Sequence, residues 1–181
     1  RFQLFLGFGL EARQTLLAFS EPLPDAPLWR SLAYILDAEP DPAPFFRGQT
    51  ACDGAAALWA MLSDPAPKPG DAVNSTAIRR SFSALPAHLR RHLGPALAER
   101  FLTLGDGEAA RAIRDAILRA PGDPGAEVTR LEAEMSLSAG DPAEAEIQIA
   151  PLVTSAGPDS AEALSTYVKA RVAQLLPVTP E

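Results

Sequence analysis

Two histidines in this sequence have a spacing that could serve metal chemistry. His88 and His92 are its only histidines, and a separation of four residues places both imidazoles on one face of a helix, where two rings can share a metal ion. No glutamate follows His88 directly, and Glu99 is the nearest carboxylate, so a third ligand is lacking. We interpret both as solvated surface histidines that remain a candidate metal pair, and we expect no metal or other cofactor.

The single cysteine could act as a nucleophile. Cys52 lies at the start of a predicted helix, where the partial positive charge of the helix end favours a thiolate. No local motif pairs it with a base, and a structural thiol is the favoured interpretation. An enzyme that uses Cys52 or the two histidines is therefore the least favoured hypothesis, and we expect no catalytic residue. With one cysteine no internal disulfide can form, so the redox compartment stays open.

Acidic residues alternate in the segment that follows the second predicted helix. Asp37, Glu39 and Asp41 have the spacing of the first ligands of a calcium-binding loop. The position that needs glycine for the sharp turn is Pro42, and no bidentate glutamate stands at the twelfth place. The pattern therefore predicts a solvated acidic loop and no calcium site.

Basic residues are concentrated in one segment. Between residues 75 and 100 the only acid is Glu99, and the segment carries a formal charge of +4 against −11 for the remainder. Its arginines are Arg79, Arg80, Arg90, Arg91 and Arg100. The functional hypothesis is a contact surface for an acidic partner, or for an acidic face of the same protein. The alternative is a solvated helix face balanced by neighbouring carboxylates.

Composition limits the class of protein. The 181 residues, 47% of them apolar, suffice for one full core or for a solenoid of several helical pairs. The net charge of −7 argues against nucleic acid and anionic lipid as main partners, because the overall interaction with a polyanion would be repulsive. No stretch approaches ~18 uncharged apolar residues, which predicts no membrane span.

The sequence gives only weak indications of its source organism and cellular compartment. Fourteen arginines against two lysines, with abundant alanine and proline, are typical of a GC-rich bacterial genome. The chain begins with Arg1, which predicts a processed form or a piece of a longer protein, and its first residues read as a helix and not a signal peptide. The compartment stays open, and the absence of a cytosolic signature favours an extracytoplasmic, periplasmic setting over the cytoplasm.

Apolar spacing predicts five helices in the first half of the chain. They cover Phe2 to Phe19, Asp25 to Leu36, Asp53 to Leu62, a helix capped by Asn74 or Ser75, and a short helix from Pro86 that stops at Gly94-Pro95. Ser63 to Asp71 holds three prolines and is the clearest linker. It separates an N-terminal helical segment, 1–64, from a repeat segment, 72–177, unless 1–181 is one continuous domain.

A Gly-Asp pair recurs in the second half. Gly105-Asp106 is echoed by Gly140-Asp141, with alanine-rich helical runs on either side of each. The predicted helices are Pro95 to Leu104, Glu108 to Arg119, Gly125 to Ser138, Ala143 to Ser155, and Ser160 to about Leu176. Together these patterns predict an all-α protein of nine or ten helices.

The spacing of the second half resembles the tetratricopeptide repeat (TPR), whose period is near 34 residues with two helices per unit. The positions that match in the first unit are Leu97, Ala98, Phe101, Ala109, Ile113, Ala116 and the closing proline, Pro121. The second unit departs from the pattern at Glu132, Ser136 and Gly157. The resemblance covers the C-terminal half alone. It implies antiparallel helical pairs in a right-handed α-solenoid and a non-enzymatic scaffold that binds a protein or peptide.

A second hypothesis for function remains open. The chain could be a structural or oligomerisation segment of a longer bacterial protein, and it could form a homo-oligomer. The partner expected under the scaffold hypothesis is a protein or peptide, which the basic segment would select for acidic character.

Overall fold

The computed structural model describes residues 1–21, 23–64, 66–155 and 160–178. Within these ranges the chain forms ten α-helices and no strand, which confirms the all-α prediction. The helices are α1 (Phe2–Leu6), α2 (Gly9–Ala18), α3 (Ala26–Leu36), α4 (Ala55–Ser63), α5 (Ser75–Ser83), α6 (Ala87–Thr103), α7 (Gly107–Leu118), α8 (Ala126–Ser138), α9 (Pro142–Thr154) and α10 (Ser160–Ala173).

The prediction of one helix from Phe2 to Phe19 is wrong, because Gly7 divides it into α1 and α2. Gly7 has φ 85°, a left-handed conformation that glycine adopts without the Cβ clash of other residues. The helix then restarts at Gly9, which is buried. A Cβ at Gly9 would overlap the carbonyl oxygen of Ala33, so the missing side chain lets α2 lie close against α3.

The prediction that a helix stops at Gly94-Pro95 is also wrong, because α6 runs without interruption through Pro95. Proline at this position removes one backbone hydrogen bond, the bond to the carbonyl of Arg91. Gly94 and Pro95 are both buried, and the close packing around them offsets that loss. Pro151 likewise lies inside α9.

The two Gly-Asp pairs form the same turn. Gly105 and Gly140 end α6 and α8 in the left-handed conformation, with φ 79° and 81°. The carboxylate of Asp106 then accepts the first-turn N–H of α7 at 2.9 Å, and Asp141 accepts that of α9 at 3.1 Å. Each pair is therefore both the stop signal of one helix and the cap of the next.

The starts of α5 and α3 differ in how their cap residues act. Asn74 caps α5 through a bond from the N–H of Ala77 at 3.0 Å, as predicted. Asp25 stands at the cap position of α3, but its side chain accepts no bond there. It lies instead 3.7 Å from the guanidinium of Arg1. Gly157, where the second unit departs from the repeat pattern, falls outside the described residues.

Helices that follow one another along the chain pack in pairs. The pairs α2–α3, α4–α5, α6–α7 and α8–α9 are each in direct contact, and α10 packs on α9. One hydrophobic cluster extends from Ile35 in α3 to Leu131 in α8, and so crosses the connection at residues 66–74. A smaller cluster joins α8, α9 and α10. All six helix positions that carry the TPR resemblance are buried.

Both ends of this array expose apolar side chains. At the first end Phe2 is 74% and Leu17 85% exposed, and at the last end Leu175 is 93% exposed. None of the helices in the described ranges has the length and apolar character needed to cross a bilayer. We refer to these exposed apolar side chains, on the first two helices and just after the last one, as the apolar end faces.

Side chains of α5 and α7 pack against α6 at Gly94, and Gly94→Ala tests that packing. The new Cβ would lie 2.5 Å from Cδ1 of Ile117 and 3.0 Å from Cζ of Phe82, both buried. We expect the overlap to outweigh the higher helix propensity of alanine and to lower the free energy of unfolding by about 1–2 kcal/mol in urea denaturation.

The control for this substitution is Gly107→Ala, at the first position of α7. There the nearest atom to a new Cβ is the Nη2 atom of Arg111 at 3.9 Å, and the free energy of unfolding should be unchanged or slightly raised. Equal effects of the two substitutions would show that α6 is not tightly packed at Gly94.

Candidate functional site

The two histidines of α6 hydrogen-bond to backbone carbonyls of other helices. The Nε2 atom of His88 lies 2.6 Å from the carbonyl oxygen of Phe5 in α1, and Nε2 of His92 lies 2.5 Å from that of Leu36, the last residue of α3. A carbonyl oxygen only accepts, so each ring nitrogen donates. The described residues contain no group of three or more histidines, cysteines or acids placed to hold a metal.

Two arginines of α6 reach helix ends in the same way. Arg90 donates to the carbonyl of Ser83, the last residue of α5, at 3.4 Å. Arg91 donates to the carbonyls of Ala120, at 3.4 Å, and of Pro121, just beyond the end of α7. These contacts tie the start of α6 to its neighbours on both sides.

Arg100 does the same at the other end of α6. Its Nε donates to the carbonyl of Asp64 at 2.8 Å and its Nη2 to the carbonyl of Leu62 at 2.9 Å, which are the last carbonyls of α4. Nη1 makes a longer bond of 3.3 Å to Ala96, one turn back along α6. Burial lowers the pKa of Arg100 from its ordinary value, and the nearby charges of Asp64 and Glu99 only partly oppose this.

The last carbonyls of a helix have no partner within the helix and carry its partial negative charge. Cationic side chains that donate to them satisfy both the hydrogen bond and the charge. Side chains of α6 therefore donate to carbonyls at the ends of α1, α3, α4 and α5 and in the turn that follows α7. This interaction has no sequence motif, because its acceptors are backbone groups far along the chain.

The two remaining arginines of the basic segment lie on α5. Arg79 pairs with Glu108 of α7 at 3.2 Å, and Arg80 pairs with Asp53 at 3.0 Å. The side chain of Arg80 is 65% exposed and that of Asp53 is 81% exposed. Binding of a partner by the five arginines stays a prediction, and the structure places them in two groups: α6 residues engaged with carbonyls and α5 residues in surface ion pairs.

The acidic loop and the cysteine lie near one another in sequence but have different surroundings. Asp37 and Glu39 both accept from the guanidinium of Arg13, at 2.8 and 2.6 Å. This contact holds the pKa of Glu39 below its ordinary value. Asp41 accepts from the hydroxyl of the buried Ser31. The acids thus brace the loop against α2 and α3, while Cys52 is exposed.

A cleft of about 810 Å³ lies beside Arg100. The connection 37–54, the connection 66–74 and the C-terminal end of α4 enclose it against one face of α6. Pro44, Val73 and Ala96 contribute apolar surface to its lining. Its charged residues are Arg47 and Arg100 together with Glu39, Asp41, Asp64 and Asp71. Of the predicted site residues, the cleft brings together only Arg100 and His92.

Arg47 is the lining residue that the sequence patterns did not single out. It is exposed, follows Phe45-Phe46, and stands alone in a proline-punctuated stretch, outside any cluster of basic residues. The sequence marks it only by its position directly after the aromatic pair Phe45-Phe46. In the structure Phe46 is buried, and it anchors this segment to the core. Arg47, next to this anchor, is therefore held at a fixed position on the surface.

No family model matches this chain, and it matches neither a curated protein nor a solved structure.

The carbonyl contacts of Arg100 can be tested by Arg100→Met, which keeps the apolar stem and removes the guanidinium. Hydrogen bonds from charged groups contribute about 1.5–3 kcal/mol, and we expect a loss of that order in the free energy of unfolding, measured by urea denaturation. The control is Arg80→Met, which breaks a solvated ion pair and should cost about 0.5 kcal/mol or less. Equal midpoints for both variants would show that Arg100 does not stabilise α4.

Proposed function

We propose that the protein is a non-enzymatic scaffold that binds a segment of a partner protein in the cleft beside α6. The observation that carries this proposal is the cleft itself, whose volume of about 810 Å³ lies in the range of about 300–1,000 Å³ found for ligand sites. Apolar residues line it together with a few charged groups, the composition that such sites have. Loops form two of its walls, as in many binding sites that are carried on a rigid scaffold.

The order of helix contacts supports a TPR-like arrangement as part of this proposal. The helices α6, α8 and α10 contact one another in succession, and α7 and α9 pack as the second members of their pairs. Arg130 of α8 connects the three, with Glu99 of α6 at 2.7 Å and Glu162 of α10 at 3.5 Å. Arrays of this kind present extended surfaces to partner proteins, and the argument from fold to function is one of analogy.

Filling the cleft provides the test. Ala96 is an exposed residue of α6 in the cleft lining, and Ala96→Trp should occupy the space that a partner segment would use. Peptides selected from a random displayed library on the wild-type protein should bind Ala96→Trp at least about tenfold more weakly, as measured by fluorescence anisotropy.

The matched control is Ala143→Trp, an exposed alanine of α9 outside the cleft. It adds the same indole to the surface and should leave the affinity of selected peptides unchanged. A library that yields no binder, or peptides that bind both variants like the wild type, would contradict the proposal.

A second candidate function, self-association as an oligomerisation segment, is favoured by the apolar end faces. If α1 and α2 form the contact, light scattering of the wild-type protein should show a dimer, and Leu17→Gln should shift it to monomer. Leu175→Gln, at the opposite end, is the control and should leave the dimer intact. A wild-type protein that is monomeric at every concentration excludes this candidate.

A further inference from the structure

Three arginines lie close together where α5 and α7 end and α6 begins. Nη1 of Arg90 is 3.4 Å from the carbonyl oxygen of Ser83, the last residue of α5, and Nη2 of Arg119 is 3.4 Å from the hydroxyl oxygen of the same serine. Arg91 donates to the carbonyls of the two residues that follow Arg119. These contacts place three guanidinium groups beside one another, and we call Arg90, Arg91 and Arg119 the arginine patch.

The arginine patch keeps hydrogen-bond donors for an outside ligand. A guanidinium carries five N–H groups, and Arg90 and Arg119 each donate one of theirs within the described residues. Both bonds exceed the usual range of about 2.7–3.2 Å, and their acceptors are uncharged, so a carboxylate would be a stronger acceptor for the same donors. The hydroxyl of Ser83, which accepts from Arg119, still has its own hydrogen to donate. Ser83 and Arg119 are both exposed, so a partner can reach these groups.

Positive charge prevails in the patch even when the acids beside it are counted. Helix α5 and residues 87–98 of α6 contain no acid. On α7, Asp115 lies one turn before Arg119, and Arg114 binds its carboxylate through Nε and Nη2, at 3.0 and 2.7 Å. The next acid along the chain is Asp123, whose carboxylate accepts a backbone N–H of its own turn. Four arginines against two acids leave a net charge of +2, whereas acids outnumber arginines in the cleft.

The acids on the adjoining elements have cations of their own. Glu127, at the start of α8, is paired with Arg130 at 2.8 Å, and Asp53, just before α4, is paired with Arg80 of α5 at 3.0 Å. Within the described part of the chain none of the three patch arginines forms an ion pair, and their bonds go to carbonyl and hydroxyl oxygens. A carboxylate from another molecule would therefore supply a counter-charge that the patch lacks.

We propose that the arginine patch binds an acidic segment of a partner protein. Carboxylates of that segment would accept from Arg90 and Arg119, the Ser83 hydroxyl would supply a further donor, and Arg91 would add a third positive charge. A short acidic segment fits this surface better than nucleic acid or an anionic membrane does. A long polyanion would also lie over the remainder of a chain whose net charge is −7, where the interaction is repulsive.

The patch lies outside the cleft, so this inference goes beyond the proposed function. The residues of α6 that line the cleft are His92, Leu93, Ala96 and Arg100, and no arginine of the patch is among them. The inference also narrows the basic segment of the sequence. It keeps two arginines of that segment and adds Arg119, which lies beyond residue 100.

Two peptides of defined charge test the proposal. The probes are fluorescein-labelled six-residue peptides, one of alternating Glu and Ser and one of alternating Gln and Ser, compared by fluorescence anisotropy. The Glu peptide should bind at least about tenfold more tightly at low salt, and the ratio should fall at high salt, because salt screens exposed charges. Equal binding of the two peptides would overturn the proposal.

Substitutions assign the binding to the patch. Arg119→Gln removes an exposed guanidinium that bonds to a serine hydroxyl, so the fold should be preserved and the Glu peptide should bind at least about threefold more weakly. Ser83→Glu places a carboxylate beside both guanidinium groups and should weaken the Glu peptide at least as much. Its uncharged control, Ser83→Gln, should have less than about a twofold effect. Should Ser83→Glu fail to fold, as judged by thermal unfolding, Arg119→Gln decides the result.

A control arginine excludes an effect of general surface charge. Arg47→Gln changes an exposed arginine of the cleft and should leave the affinity of both peptides unchanged. An equal loss in Arg47→Gln and Arg119→Gln would overturn the assignment to the patch. A fluorescein-labelled strand of six thymidine nucleotides is the competing probe, and tighter binding of this strand than of the Glu peptide would replace the acidic partner protein by nucleic acid.

The outcomes separate this inference from the scaffold function. Ala96→Trp, which fills the cleft, should leave the Glu peptide unaffected. If it weakens that peptide as much as Arg119→Gln does, the peptide lies in the cleft and the inference falls. Library-selected peptides that bind the cleft, with a Glu peptide that does not bind, would leave the scaffold function standing alone. A Glu peptide that binds the patch, with no library peptide that depends on the cleft, would leave this inference standing alone.

Discussion

The organisation of this protein depends on one type of contact, the hydrogen bond from a polar side chain of α6 to the last carbonyls of another helix. A helix end leaves carbonyls that must find donors, and a buried end without them is costly. Histidines and arginines along α6 supply these donors to α1, α3, α4 and α5, and Arg91 supplies them to the turn after α7. The central helix thus packs its apolar side against the core and uses its polar side to terminate its neighbours.

This arrangement changes the meaning of the basic segment. A local excess of arginine suggests a surface for an acidic partner, yet the α6 side chains are engaged with backbone groups of the same chain. The contact satisfies hydrogen bonds at helix ends within the chain. At Arg100 the guanidinium that bonds to the end of α4 also lines the cleft.

Sequence patterns predicted the features of the fold that depend on neighbouring residues. Helix periodicity gave the all-α class, and the Gly-Asp pairs marked turns whose stop and cap functions lie within a few residues. The two wrong boundaries have different causes. The left-handed backbone of Gly7 ends α1, whereas buried surroundings hold α6 together through Pro95. The cleft and the carbonyl contacts of Arg100 could not be predicted, because they join segments about 36 residues apart through backbone atoms.

The contacts of α6 also set an order of events during synthesis. Phe5 and its donor His88 are 83 residues apart, and Leu36 and His92 are 56 apart. A ribosome adds residues from the first end, so α1 and α3 leave the exit tunnel well before the helix that completes their ends. Contacts between distant residues form late because the intervening chain must first be ordered. The carbonyls of Phe5 and Leu36 therefore lack their histidine donors until α6 has emerged.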